Sequence, residues 1–267
     1  MRLGYDVPMW PRCCLLVFAV CAVGMAQIHE TVVRVAETQA MLPWFWSPPL
    51  EGFREIPYTF QSANLYRVRD ARGKDKRPPL TLLLERTAVI GGIFNRCLAQ
   101  NGTSPCSAEM LEVYKAGNEK AGAFPPEEKA ALRQRRRDFW REFPEAFRFE
   151  AIGTNGFRFR PAGKQHSQAD SPAGLLGNMQ GEVRFDPRTY EITLFEYEVL
   201  HNVTIPGRQL PKTAKYSITL SKSVDGHYLP ERLFFDVPRG KDRVMEWNEY
   251  SKYRRFAVES EIQFGDR

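Results

Sequence analysis

Apolar and polar residues alternate with a period of two through most of the second half of the chain. Phe147 and Phe149 alternate with Arg148 and Glu150, and Phe157 and Phe159 alternate with Arg158 and Arg160. Thr154-Asn155-Gly156 separates them, and Asn-Gly flanked by alternating apolar residues is the strongest short-range hairpin signal. The β period recurs at Glu182–Phe185, Glu191–Val199, Ala214–Ser221, Leu229–Val237 and Arg243–Phe256, with turn residues such as Asp186-Pro187 and Asp225-Gly226 between runs. In Glu191–Val199 the apolar phase shifts from Ile192 and Leu194 to Phe195, Tyr197 and Val199, which predicts a bulge or a strand touched on both faces. Together these runs read as an antiparallel meander.

The first half mixes periods. Ile28, Val32, Val35 and Ala36 recur at helical spacing, so Gln27 to about Met41 reads as an amphipathic helix ended by Pro43. The aromatic and proline-rich segment Trp44–Pro49 fits no regular element. Strands are expected at Tyr58–Phe60, Asn64–Arg69, Leu80–Arg86 and Ala88–Cys97, the last broken near Gly91-Gly92, with a turn over Asp70–Lys76. Residues 107–143 then interrupt the strands as a helical insertion. Ser107 supplies an N-cap and Glu109 a first-turn carboxylate that favours the helix dipole. A second helix opens at Pro125-Pro126, carries Leu132, Arg136, Phe139 and Phe143 on one face, and is expected to stop at Pro144.

The N-terminus changes where this fold is expected to form. Arg2 and Arg12 precede the uninterrupted apolar run Cys13–Met25, and Gly24-Met25-Ala26 offers small residues where a signal peptidase reads. Residues 1–26 are therefore read as a signal peptide cleaved before Gln27, leaving 27–267 as one domain, periplasmic or secreted. The run is short of the ~20 residues a membrane helix needs. Phe18-Ala19-Val20-Cys21 faintly resembles a lipobox, which leaves lipidation of Cys21 open. Cleavage lowers the formal charge from +6 to +5 by removing two arginines and one aspartate. The one basic cluster, Arg133 with Arg135, Arg136 and Arg137, is too little for a nucleic-acid surface and fits a solvated helix face. Of five cysteines only Cys97 and Cys106 survive cleavage. In an oxidising compartment they are either a disulfide closing a short loop or two unrelated small hydrophobes.

Catalytic signatures are missing. His29, His166, His201 and His227 lie far apart in the sequence, and no metal-ligand spacing, nucleophile elbow or phosphate-binding loop occurs. Asp186, Glu191, Glu196 and Glu198 crowd one strand pair, where paired carboxylates can do acid–base work. Alternation points Glu196 and Glu198 the same way, as on a solvated outer face. What the strands do supply is an apolar face: Phe147, Phe149, Phe157, Phe159, Phe185, Leu194, Tyr216, Ile218, Leu220, Phe235 and Val237. These either line a ligand cavity or pack a core against the helices.

The order of an N-terminal helix, strands, the Asn101-Gly102 turn, the Ser107-capped helix pair, Phe147-Arg-Phe149, Gly181–Pro187, Tyr228-Leu-Pro230 and Tyr250–Phe256 resembles a group of exported bacterial proteins. Their fold is similar to the outer-membrane lipoprotein carrier (LolA-like) family, and the resemblance covers about Gln27 to Phe264. It implies an α+β fold: an antiparallel sheet curled into a half-open barrel, lidded by helices, with an acyl chain held between. No local motif marks a ligand-gating arginine, and the 107–143 insertion departs from a compact carrier. The expected function is that of an exported, non-enzymatic binding protein with an apolar cavity for a lipid or acyl chain. It would use no cofactor and no metal, and Arg133–Arg137 would face an anionic membrane surface. The alternatives are a structural or interaction protein of the cell envelope, and a carboxylate-dependent hydrolase.

Overall fold

A computed structural model describes residues 10–42, 58–89, 92–121, 126–163, 175–205 and 208–255. The segments Trp44–Pro49 and 164–174, Arg2, Asp6, and everything from Phe256 onward lie outside them. Among the described residues, three helices, α1 (Trp10–Met41), α2 (Ala108–Ala121) and α3 (Pro126–Ala146), accompany twelve strands. The strands are β1 (Tyr58–Arg69), β2 (Leu80–Val89), β3 (Gly92–Gln100), β4 (Phe147–Ala151), β5 (Gly156–Pro161), β6 (Met179–Phe185), β7 (Ile192–Val199), β8 (Val203–Ile205), β9 (Arg208–Leu210), β10 (Lys215–Lys222), β11 (Tyr228–Arg239) and β12 (Asp242–Arg255).

Ten strands form one curled antiparallel sheet, ordered β3-β2-β1-β12-β11-β10-β7-β6-β5-β4, and β8-β9 make a small separate hairpin. The sheet is not closed into a barrel: β3 and β4 are its two edges. Those edges are consecutive in the chain, so the helical insertion connects one rim of the sheet to the other. The halves are joined by β1 on β12, the longest pairing, from Tyr58 opposite Arg255 to Arg69 opposite Arg243. The sheet is thus α+β in class, with its helices segregated from the strands.

Side-chain alternation gives the sheet two unlike faces. The inner face carries Tyr58, Phe60, Ala88, Leu233, Ile218, Leu220, Phe195, Val183, Phe157 and Phe159, all buried in one cluster with Val32, Val35 and Ala36 of α1 and Phe139, Trp140 and Phe143 of α3. Phe143 is its hub, with ring centroids 4.9 Å from Phe147, 5.2 Å from Trp140 and 5.3 Å from Phe159. A second, smaller cluster joins Leu82, Leu84, Cys97 and Cys106 to Met110 and Tyr114 of α2. Cys97 and Cys106 are disulfide-bonded there, with Cα atoms 6.0 Å apart. Ser107 caps α2, its hydroxyl accepting from the Met110 amide at 3.3 Å.

Several boundaries differ from the sequence reading. The first helix is continuous from Trp10, so the expected cleavage point before Gln27 lies inside it. The strands expected at Tyr58–Phe60 and Asn64–Arg69 are one strand, because Ser62 and Asn64 occupy the buried phase that Tyr58 and Phe60 begin. Pro144 does not stop α3 at once; the helix runs to Ala146, since a proline removes one donor but its own fixed φ is helical. In the β4–β5 turn the positive φ falls on Gly153, at 62°, and Gly156 is already the first residue of β5.

Candidate functional site

The two apolar clusters share the inner face but do not meet seamlessly. Between them lies a polar belt built on β1, β2 and β12. Ser62, Asn64 and Asn248 are buried, with 0%, 2% and 3% of their surface exposed, and Tyr66, Arg86, Glu246, Tyr250 and Tyr114 of α2 are half-buried around them. With its oxygen toward the guanidinium, the Asn64 amide accepts from Arg86 Nη2 at 2.8 Å and from the Tyr66 hydroxyl at 3.1 Å. Its nitrogen then donates to the Ser62 hydroxyl at 2.8 Å. The Arg86 guanidinium stands 6.0 Å from the Tyr250 ring centroid. Asn248 Nδ2 donates to Glu246 Oε1 at 2.8 Å. Burial, then the Glu246 carboxylate, pushes the Tyr66 hydroxyl well above its ordinary pKa of 10.0. Burial likewise raises that of Tyr114. Both hydroxyls therefore remain donors at neutral pH.

Register ties this belt to the aromatic face. Reading across the strands, Tyr66 is opposite Glu246, Glu246 opposite Phe235, Phe235 opposite Tyr216, and Tyr216 opposite Tyr197. The row continues through Gly181 to Phe159 and Phe149. Its rings touch: Tyr216 lies edge-on to Phe235 at 5.1 Å and stacks on Tyr197 at 4.8 Å. The inner face thus passes from a polar end to an aromatic end along one line.

The residues expected to line a ligand surface are mostly on this face. Phe147, Phe157, Phe159, Phe185, Tyr216, Ile218 and Leu220 are buried in the main cluster, and Phe149, Phe235 and Val237 pack against it half-buried. Leu194 is the exception. A bulge between Arg184 and Phe185 puts Leu194 opposite Arg184, on the outer face, and leaves Ile192 in the core. Beneath α3 the rings contact one another and Phe143, so they pack as a core there. The Arg133–Arg137 cluster also divides, since Arg136 is buried at 4% beside the Phe139 face while Arg133 and Arg137 are exposed.

On the outer face another cross-strand row, Arg158–Glu182–Glu196–Ser217–Phe234–Trp247–Leu65–Thr81, links one groove to another. One groove, about 570 Å³, is charged and lined by Arg158, Arg160, Glu182, Glu196, Glu198 and Lys215 among others. The other, about 580 Å³, is apolar and lined by Ala63, Leu65, Leu83, Ala99 and Trp247, bordered by Glu249. Of the carboxylates singled out by sequence, Glu196 and Glu198 line the charged groove. Asp186 does not: it sits in the turn after β6 and accepts from the Tyr228 hydroxyl at 2.7 Å. Glu182 takes its place opposite Glu196. Arg184 holds Glu182 at 2.7 Å and Arg158 approaches at 3.9 Å. Burial and the neighbouring Glu182 raise the Glu196 carboxyl above its ordinary range. Among the residues searched, no group of histidines, cysteines and carboxylates could hold a metal ion.

No family model and no curated protein matches the chain. Solved structures do, at low identity. The chain is similar in fold to LolA-like proteins. A LolA superfamily protein from Nitrosomonas europaea is 8% identical over 84% of this chain and 93% of its own, with a TM-score of 0.28. A domain described as outer-membrane lipoprotein sorting, from Vibrio parahaemolyticus, is 11% identical over 87% and 95%, at 0.34. A DUF1329 family protein from Desulfovibrio piger is 10% identical over 88% and 95%, at 0.29. The fold class rests on the strand order and helix placement above, not on these likenesses.

Proposed function

We propose that the chain is an exported, non-enzymatic binding protein of the cell envelope that holds an acyl-bearing amphiphile on the inner face of its sheet, in the manner of a lipid or lipoprotein carrier. The observation that supports this is the inner row running from Tyr66 and Glu246 into Phe235, Tyr216 and Tyr197. An amphiphile needs such a surface: a polar anchor beside apolar area, where each buried methylene contributes about 0.8 kcal/mol. The helices over the two ends are attached separately, α1 with α3 through the aromatic cluster and α2 through the disulfide-bearing one. One lid can therefore shift without unseating the other. Export accords with the signal-like N-terminus and a cysteine pair suited to an oxidising compartment.

Native mass spectrometry of protein recovered from the periplasm without detergent tests the reading. The expected species is a chain beginning at Gln27 with a co-purifying lipid or acylated peptide. A chain beginning at Cys21 with acyl mass would make it a lipoprotein instead, and no apolar mass in any preparation would overturn the carrier reading. The exposed Arg133 and Arg137 on α3 would add attraction to anionic vesicles that weakens with salt. A second reading, an envelope interaction protein without a ligand, is favoured by the apolar outer groove, where Leu83 is 36% exposed.

A further inference from the structure

We infer that the belt around Arg86 and Glu246 receives a zwitterionic head group carrying a phosphate and an ammonium. This rests on the amphiphile reading and specifies its polar end.

Several arginines of this sheet pair with carboxylates: Arg96 with Glu85 at 3.1 Å, Arg184 with Glu182 at 2.7 Å and Arg243 with Asp236 at 2.7 Å. Arg86 differs. Its guanidinium donates to the Asn64 amide and faces the Tyr250 ring, its buried Nε has no hydrogen-bond partner, and no carboxylate among the described residues forms an ion pair with it. Withdrawing a charge from water without such a partner is costly. A phosphate would supply two parallel acceptors for the guanidinium fork.

Glu246 is the complementary case. It accepts from Asn248 and makes no ion pair among the described residues. It stands on β12 opposite Tyr66, and Arg86 stands on β2 opposite Phe60, farther along β1. The Arg86 side chain runs back along the sheet to Asn64 at 2.8 Å, while Glu246 meets Asn248 at 2.8 Å. Asn64 and Asn248, directly opposite in register, lie between. Neither charge neutralises the other. A purely anionic head group would meet Glu246, and a purely cationic one would meet Arg86. A head group with phosphate and ammonium on one short linker satisfies both, and tyrosine faces favour the ammonium. From there the row through Phe235 and Tyr216 leads an attached chain onto apolar surface.

The experiment loads the full chain from vesicles containing equal phosphatidylethanolamine and phosphatidylglycerol with matched acyl chains, then identifies the retained lipid. Wild type is expected to enrich phosphatidylethanolamine at least about tenfold, the worth of one well-formed polar contact. Arg86→Met should abolish the preference, Arg86→Lys should keep part of it, and Glu246→Gln should move it toward phosphatidylglycerol. Should Arg86→Met fail to fold, Glu246→Gln, which changes charge and not shape, still reads the inference. Equal retention of both lipids by wild type would overturn the head-group site and leave the acyl reading standing. Retention of neither would overturn both. Glycerophosphoethanolamine, which has no chains, binding as tightly as the lipid would support the site and refute the amphiphile.

Discussion

Asn118 on α2 and Asn95 on the edge strand β3 exchange a matched pair of hydrogen bonds. The Asn95 amide donates to Asn118 Oδ1 at 2.8 Å, and Asn118 Nδ2 donates to the Asn95 carbonyl at 2.8 Å. A carboxamide has the donor and acceptor of a peptide group, so Asn118 stands in for the neighbour that β3 lacks. Unpaired strand edges invite pairing with other chains. Asn118→Ala should therefore lower stability by about 1–2 kcal/mol, the net worth of two hydrogen bonds. It should also raise self-association, read by thermal melting and light scattering. A variant that melts as wild type and stays equally dispersed would show that the edge is guarded by something else.

Much of this architecture is legible in the chain. The alternation of Phe147 and Phe149 against Phe157 and Phe159 locates β4 and β5, and Ser107 locates α2, because strand pleat and helix capping are local. The inner belt is not local. Its members come from residues 62–66, 86, 114 and 246–250, brought together by β1 pairing with β12 and by α2 folding onto the sheet. A signal existed: Ser62 and Asn64 continue the buried phase of Tyr58 and Phe60, so polar residues in that phase mark a polar interior. Breaking the strand at Gln61–Ala63 loses that phase. Register likewise decides which carboxylate meets Glu196. Proximity in sequence suggests Asp186, whereas pairing across β6 and β7 selects Glu182.

The disulfide tethers α2 beside the belt. Cys97 lies within β3, opposite Leu84 of β2, and Cys106 precedes the Ser107 cap, nine residues on. Closing so short a loop limits the effect on the unfolded chain, and replacing both cysteines by serine should cost about 2–3 kcal/mol. Thiol labelling of denatured, unreduced protein should find no free thiol. Two reactive thiols in exported protein would refute the bridge.

Glu196 links the charged groove to pH. Its carboxyl is raised above the ordinary 4.5, chiefly by burial and then by Glu182. The folded state therefore favours its protonated form. That contribution is complete below the ordinary value and is lost as pH rises through the raised one. Glu196→Gln should thus stabilise the protein at neutral pH and have little effect at about pH 4. Glu196 is substantially exposed, so solvent screening holds the gain below ~1 kcal/mol. Melting curves at both pH values decide it, and a variant less stable than wild type at neutral pH would contradict the assignment.

Two glycines should respond oppositely to the same substitution. Gly181 in β6 lies close against the β7 backbone: an added Cβ would stand 1.9 Å from the Glu196 carbonyl oxygen and 2.8 Å from Tyr197 Cα. Both are backbone atoms, which cannot turn aside as a side chain would. Gly181→Ala should cost about 3 kcal/mol or more, in the range of severe overpacking, and disturb both the inner row and the groove beneath. Gly117 sits exposed within α2 with nothing near a Cβ. There Gly117→Ala should stabilise by about 0.5–1 kcal/mol, because alanine restricts the unfolded chain and favours the helix. Urea denaturation of both variants measures the pair. A Gly181→Ala protein as stable as wild type would mean that β6 and β7 are not pressed together at this point.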